Sequence, residues 1–115
     1  MTTDAAANRG GDPASVSPDF HAAIELIGRR WAGAILWSLR ERPRYFAELT
    51  ASVPGLSDRL ASRRLRELES AGLVERSVSA GTPARVSYAL TDKGRSLEPA
   101  LSELADWARN WKLSS

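Results

Sequence analysis

Along the chain, apolar residues begin to recur with a helical period at Phe20 and change to a strand-like period after Gly72. Phe20, Ala23, Ile24 and Ile27 mark a short first helix, with Asp19 as its expected cap and an end near Gly28. From Trp31 to about Arg40 the chain is apolar nearly all round (Trp31, Ala34, Ile35, Trp37, Leu39). That pattern predicts the central core helix, ended by Pro43. Phe46, Leu49 and Val53 share one face of a third short helix that stops at the turn Pro54-Gly55. Ser57 is the expected N-cap of a fourth helix running to about Ala71, and Gly72 stands where a left-handed helix stop belongs.

That fourth helix is two-sided. At about 100° per residue, Leu60, Ala61, Leu65 and Leu68 fall in one sector. Arg59, Ser62, Arg63, Arg66 and Ser70 fall opposite, with Asp58, Glu67 and Glu69 toward the flanks, and Arg64 lies nearer the apolar side. Such a pattern is most often a solvated amphipathic helix, so its neighbours have to decide. It follows a short apolar helix and a tight turn, and two strand-like runs come after it: "LVERSV", then "ARVSYAL", in which Val86, Tyr88 and Leu90 alternate. "SAGTP" between them supplies hairpin-loop residues. A helix–turn–helix followed directly by a β-hairpin predicts a mainly α fold with a small β-hairpin: a winged helix-turn-helix.

Thr91 is expected to cap one final helix, "DKGRSLEPALSELADWARNWKL", kinked in its interior by Pro99, which lacks a backbone donor. Leu97, Leu101, Leu104, Ala108 and Trp111 follow a four–three spacing, the seam of a helix that pairs with another. The seam serves either its own domain or a second copy. Residues 1–17 are small and polar and read as a flexible tail, which leaves 18–115 as one winged-helix domain.

Charge sharpens the picture. Net charge is only +2, but between Arg29 and Arg66 nine arginines face three acids. Such clustering is the electrostatic footprint of phosphate binding, and arginine's planar fork suits it. In a winged helix the fourth helix enters the major groove. Arg59, Arg63 and Arg66 would then reach base edges or phosphates, and Ser57 and Ser62 bases or backbone. Arg44, Arg76 and Arg85 are candidate phosphate contacts, Arg85 near the hairpin tip also fitting a minor groove. A surface arginine at a hairpin end is nearly as ordinary a reading of Arg76 and Arg85.

The chain has no cysteine and one histidine, His21, so thiol chemistry, a thiolate or histidine metal cluster and a conventional catalytic triad are excluded. No cofactor and no metal are expected, and His21 reads as exposed or interfacial. Neither a membrane-length apolar run nor a secretion signal is present, so a soluble cytoplasmic protein is expected. There is no paired acid/base constellation, nucleophile elbow or phosphate loop, which argues against an enzyme.

The ordered set "IGRRW", "ILWSL", "RPRYFAEL", "PGLSDRLASRRLRELESAGLVER" and "RVSYALTDKGRSL" resembles the HxlR family of bacterial winged-helix transcription regulators, over residues 20–111. The resemblance implies a homodimer on double-stranded DNA, bound to a partly palindromic operator through the helix that begins near Ser57 and a wing around residues 79–85. It implies dimer contacts from the first and last helices, hence Phe20 and Ile24 beside Leu97, Leu101, Leu104, Ala108 and Trp111. Many members carry a cysteine just before the first helix, where some sense oxidants; Pro18 stands there in this chain. The family also often has a second proline in the wing, where this chain has Ala84.

Four tryptophans in 115 residues read first as core and interface packing. A sharper reading is an aromatic-lined pocket for a flat effector, with Phe20, Ile24, Trp31, Trp107 and Trp111 as its lining. The function expected is a dimeric, sequence-specific regulator, a repressor by promoter occupancy, with a small aromatic effector as a candidate control. The alternative is a winged-helix protein-interaction module without sequence-specific DNA binding, since this fold also serves as a docking platform.

Overall fold

A computed structural model describes residues 15–114, so the expected tail lies outside the described residues except for its last three positions. The chain divides after Arg30 into two units. The first holds helix α1, Pro18–Ile27. Its cap is Ser17 rather than Asp19: the Ser17 hydroxyl accepts from the amides of Asp19 and Phe20, at 3.2 and 3.4 Å. Pro18 explains the shift, because a proline is pre-set for the first helical position and moves the start one residue earlier than the apolar period shows. Phe20, His21 and Ile24 are exposed on this helix.

The second unit runs from Trp31 onward. It contains helix α2 (Ala32–Ser38), a two-residue strand β1 (Arg44–Tyr45), helices α3 (Phe46–Ser52) and α4 (Asp58–Ser70), strands β2 (Val74–Val78) and β3 (Val86–Leu90), and helices α5 (Asp92–Arg95) and α6 (Glu98–Asn110). The predicted hairpin gains a third strand: the antiparallel sheet has the order β1-β3-β2, with Tyr45 opposite Ser87 and Arg76 opposite Tyr88.

Ile35 and Leu36 of α2, Leu39 just after it, Leu49 of α3, and Leu65 and Leu68 of α4 are fully buried, with Val74 and Leu90 closing the core from the sheet. Each such side chain contributes on the order of 1.5–3 kcal/mol. The core therefore holds α4 by its apolar stripe and leaves its other face outward.

Both ends of α4 are fixed. At the start, the Ser57 hydroxyl accepts from the Leu60 amide at 3.1 Å. At the end, Gly72 takes a left-handed φ of +81°. The amides of Leu73 and Gly72 turn back onto the carbonyls of Leu68 and Glu69, both at 3.0 Å, the paired bonds of a Schellman stop. Lys93 adds a charge to this negative helix end, its ammonium donating to the Ala71 carbonyl at 2.7 Å.

The expected single C-terminal helix is two. Thr91 caps α5 as predicted, accepting from the Gly94 amide, but Ser96 and Leu97 separate α5 from α6. Pro99 then stands in the first turn of α6 rather than kinking an interior. A continuous helix would need the residue-99 amide to reach the Arg95 carbonyl, and proline has none. The chain restarts where that loss costs nothing.

Candidate nucleic-acid interface

The outward face of α4 carries Arg59, Arg63 and Arg66, all exposed. Their four–three spacing places them within about 60° on the helix. None of the three has a hydrogen bond or ion pair among the described residues, whereas Arg64, on the flank, pairs with Glu67 at 3.2 Å. Like charges at such spacing oppose the helix by roughly 0.2–0.5 kcal/mol per pair. A stripe that repels itself, on a helix fixed at both ends, is a surface suited to a polyanion. Ser62 is half-buried at the edge of the stripe, and Ser57 is exposed but engaged as the cap.

The hairpin leaves the domain early. Val74 is buried, but Glu75 to Val78 are all exposed. Arg85 closes its loop, donating its amide to the Ser79 hydroxyl at 2.9 Å and accepting the Ser79 amide at 2.8 Å. Its guanidinium carbon lies over the Tyr45 ring, 3.5 Å from the centroid. That stacking pre-orders a long side chain at the loop end of the hairpin. Arg76, on β2, is exposed and carries no carboxylate partner among the described residues.

Arg44 behaves differently from the other expected contacts. Strand β1 turns its side chain inward, where Nε donates to the Ser38 carbonyl at 2.9 Å and closes the end of α2. Other arginines of the basic segment are also engaged within the protein. Arg42 pairs with Glu48 at 3.0 Å, and Arg40 lies 3.9 Å from the centroid of the Trp37 ring. Within the basic segment, the arginines without a partner among the described residues are thus Arg59, Arg63 and Arg66, all on α4.

Glu48 is held well below the usual carboxylate range, at about 2, first by the Arg42 guanidinium and then by the Tyr45 amide that donates to it. This carboxylate caps the start of α3, with the Tyr45 amide at 2.9 Å. No sequence pattern singled it out, although Glu three residues into a helix is the position from which a side chain reaches back to the cap.

Between β1, the start of α3, α4 and the outer part of the hairpin lies an open cavity of about 440 Å³. Tyr45, Phe46 and Tyr88 form its aromatic walls, Arg76 and Arg85 its cationic rim, and Ser62 reaches it from α4. None of the five residues expected to line an effector pocket borders it. Phe20 and Ile24 are exposed on α1, Trp107 and Trp111 are exposed on and just after α6, and Trp31 is half-buried before α2. Along the expected dimer seam, Leu97, Leu101 and Ala108 are half-buried, while Leu104 and Trp111 are 54% and 72% exposed.

No helix among the described residues is long and apolar enough to cross a membrane. Residues 26–115 match the family model of the HxlR-like helix-turn-helix. The chain is 43% identical, over 82% of its length and 87% of the relative's, to an uncharacterized HTH-type transcriptional regulator, YvaP of Bacillus subtilis. It is also similar to the structure of the transcriptional regulator YodB from B. subtilis in its reduced form. That match has 38% identity and a TM-score of 0.74, over 82% of this chain and 92% of that one. A quinone-bound form of YodB matches with 36% identity and a TM-score of 0.73, over 83% and 99%. Helix-turn-helix, hairpin and match over most of the chain agree: the protein belongs to the HxlR-like helix-turn-helix family and is a winged-helix transcriptional regulator.

Proposed function

We propose that the protein is a sequence-specific repressor that binds a partly palindromic operator as a homodimer. The observation that carries this reading is the stripe Arg59–Arg63–Arg66, without carboxylate partners among the described residues, on a helix capped at both ends. In the major groove, Arg59 and Arg63 at the leading end of α4 read base edges, with Ser62 beside them. Arg66, Arg76 and Arg85 neutralise phosphates on either side and set the register. Ser57 presents the start of α4 to the backbone. Arg44 acts from within, holding β1 against the end of α2, so its contribution to DNA binding is indirect.

The homodimer is supported by apolar surface that a monomer leaves in water. Leu104, Trp107 and Trp111 are more than half exposed on or just after α6, and Phe20 and Ile24 are exposed on α1. Two copies would place their α4 helices about 34–36 Å apart, in successive major grooves. Repression then needs only occupancy of a promoter. Quinone-bound YodB supports control by a small flat cyclic molecule here as well, but not through a thiol, since this chain has no cysteine.

Selection of binding sequences from a random duplex pool tests the reading. The expected result is an inverted repeat with half-sites one helical turn apart. Recovery of no motif, with binding that ignores sequence at moderate salt, would refute it.

A further inference from the structure

We infer that the cavity between β1, α4 and the outer part of the hairpin is a binding site for a flat aromatic anion of one or two rings, and that its occupant competes directly with DNA. Two features set the ligand chemistry. The rim carries two cations, Arg76 and Arg85, and no carboxylate lines the cavity. A neutral or cationic guest leaves those charges unanswered, whereas a carboxylate meets the planar forks of two arginines. The walls are aromatic: the half-buried Phe46, the Tyr45 ring that Arg85 covers on one face, and the buried Tyr88 give a flat guest apolar surface to pack on.

Preorganisation adds to this. Arg85 is already held 3.5 Å over Tyr45, so little side-chain freedom is lost when an anion arrives. The cavity volume of about 440 Å³ lies in the range of small-ligand sites, roughly 300–1,000 Å³. Ser62 supplies a hydroxyl to orient the guest from the α4 side.

The location decides what binding does. Ser62, Arg76 and Arg85 are the groups that meet DNA, so a carboxylate in the cavity occupies the same donors as a phosphate. No conformational relay is required. The competition rests on α4 and the hairpin being the DNA face; the binding of the anion does not.

The two halves are tested separately on the full chain. In an amide NMR titration without DNA, 2-naphthoate is expected to produce saturable shifts centred on Tyr45, Ser62, Arg76 and Val86. The neutral 2-naphthamide should bind at least tenfold more weakly. Arg85→Ala should weaken 2-naphthoate by about tenfold or more. Ala47→Trp, which fills the cavity and keeps both arginines, should remove the shifts. Shifts that map elsewhere, equal binding of the amide, or wild-type binding by both variants would overturn the site. In the second arm, saturating 2-naphthoate is expected to raise the apparent Kd of a labelled duplex more than sodium chloride of equal ionic strength does. An unchanged Kd overturns the competition. A chain that binds no duplex even at low salt removes the DNA reading and the competition with it, while the NMR arm still judges the site.

Discussion

In the turn between α3 and α4, the indole of Trp31 closes over Gly55: a Cβ at position 55 would stand 3.1 Å from Trp31 Cη2. Gly55 also has a φ of +88°, a conformation that costs an L-residue about 1–2 kcal/mol. The residue that opens the domain and the turn that aims α4 are therefore in direct contact. Gly55→Ala is expected to lower stability by at least that amount, measured as a reduced urea midpoint with an unchanged slope. It should weaken DNA binding as well, because α4 is displaced at its leading end. A wild-type midpoint would mean that the turn has room the geometry does not show.

The arginines of α4 and those of the hairpin should fail in different ways. Arg59→Ala or Arg63→Ala is expected to cost about 1–3 kcal/mol on the selected operator and to relax base preference at one position per half-site. Arg76→Ala should weaken operator and random duplex alike, and reduce the salt slope by about 0.9 for each phosphate no longer neutralised. Fluorescence anisotropy on both duplexes over a salt series separates the two. A uniform loss from Arg63→Ala would assign it to phosphate instead of bases.

Acid should release the start of α3 before the core melts. The Glu48 carboxyl is held at about 2 against an ordinary 4.5, chiefly by Arg42 and then by the Tyr45 amide. A depressed carboxylate stabilises the fold fully above the unfolded value and loses that contribution as pH falls toward the folded one. The affected window is therefore about pH 4.5 down to 2. Because Glu48 is solvent-accessible, salt should shrink the effect. A carboxyl NMR titration should find Glu48 among the lowest carboxyls, and Glu48→Gln should abolish the pH dependence of the Tyr45 amide. A titration midpoint near 4.5 would show that the Arg42 pair does not persist in solution.

How far these features could be read in advance depended on whether their causes were local. The caps at Ser57 and Thr91, the stop at Gly72 and the stripe of α4 all follow from neighbouring residues, and the structure shows each of them. Strand β1 is two residues long and exists only because β3 lies beside it, so no periodicity could reveal it. Arg44 turned inward for the same non-local reason, since its acceptor is the carbonyl ending α2. Pro99 was ambiguous by nature: the same ring breaks a helix interior and begins a helix well. The cavity draws on β1, α3, α4 and both hairpin strands, and no linear pattern assembles those residues.

The exposed apolar face of α6 should hold two copies together. Leu97 and Leu101 are half-buried near the start of the helix, and α6 packs on α2. Toward its end, Leu104, Trp107 and Trp111 are 54%, 52% and 72% exposed. Exposed side chains can be charged without opening the monomer core, so Leu104→Glu and Trp111→Glu should leave the fold intact while removing the contact. Light scattering should then give about 25 kDa for the wild type, twice the 12.5 kDa chain, and the chain mass for the double variant. Operator affinity should fall by roughly 10²–10⁴, because each half-site then binds without the effective concentration supplied by its neighbour. Affinity for a single half-site should be unchanged, since α4 and the hairpin are untouched. A double variant that stays at twice the chain mass would place the interface away from α6, and one that loses half-site binding as well would show that the substitutions disturb the DNA-binding unit itself.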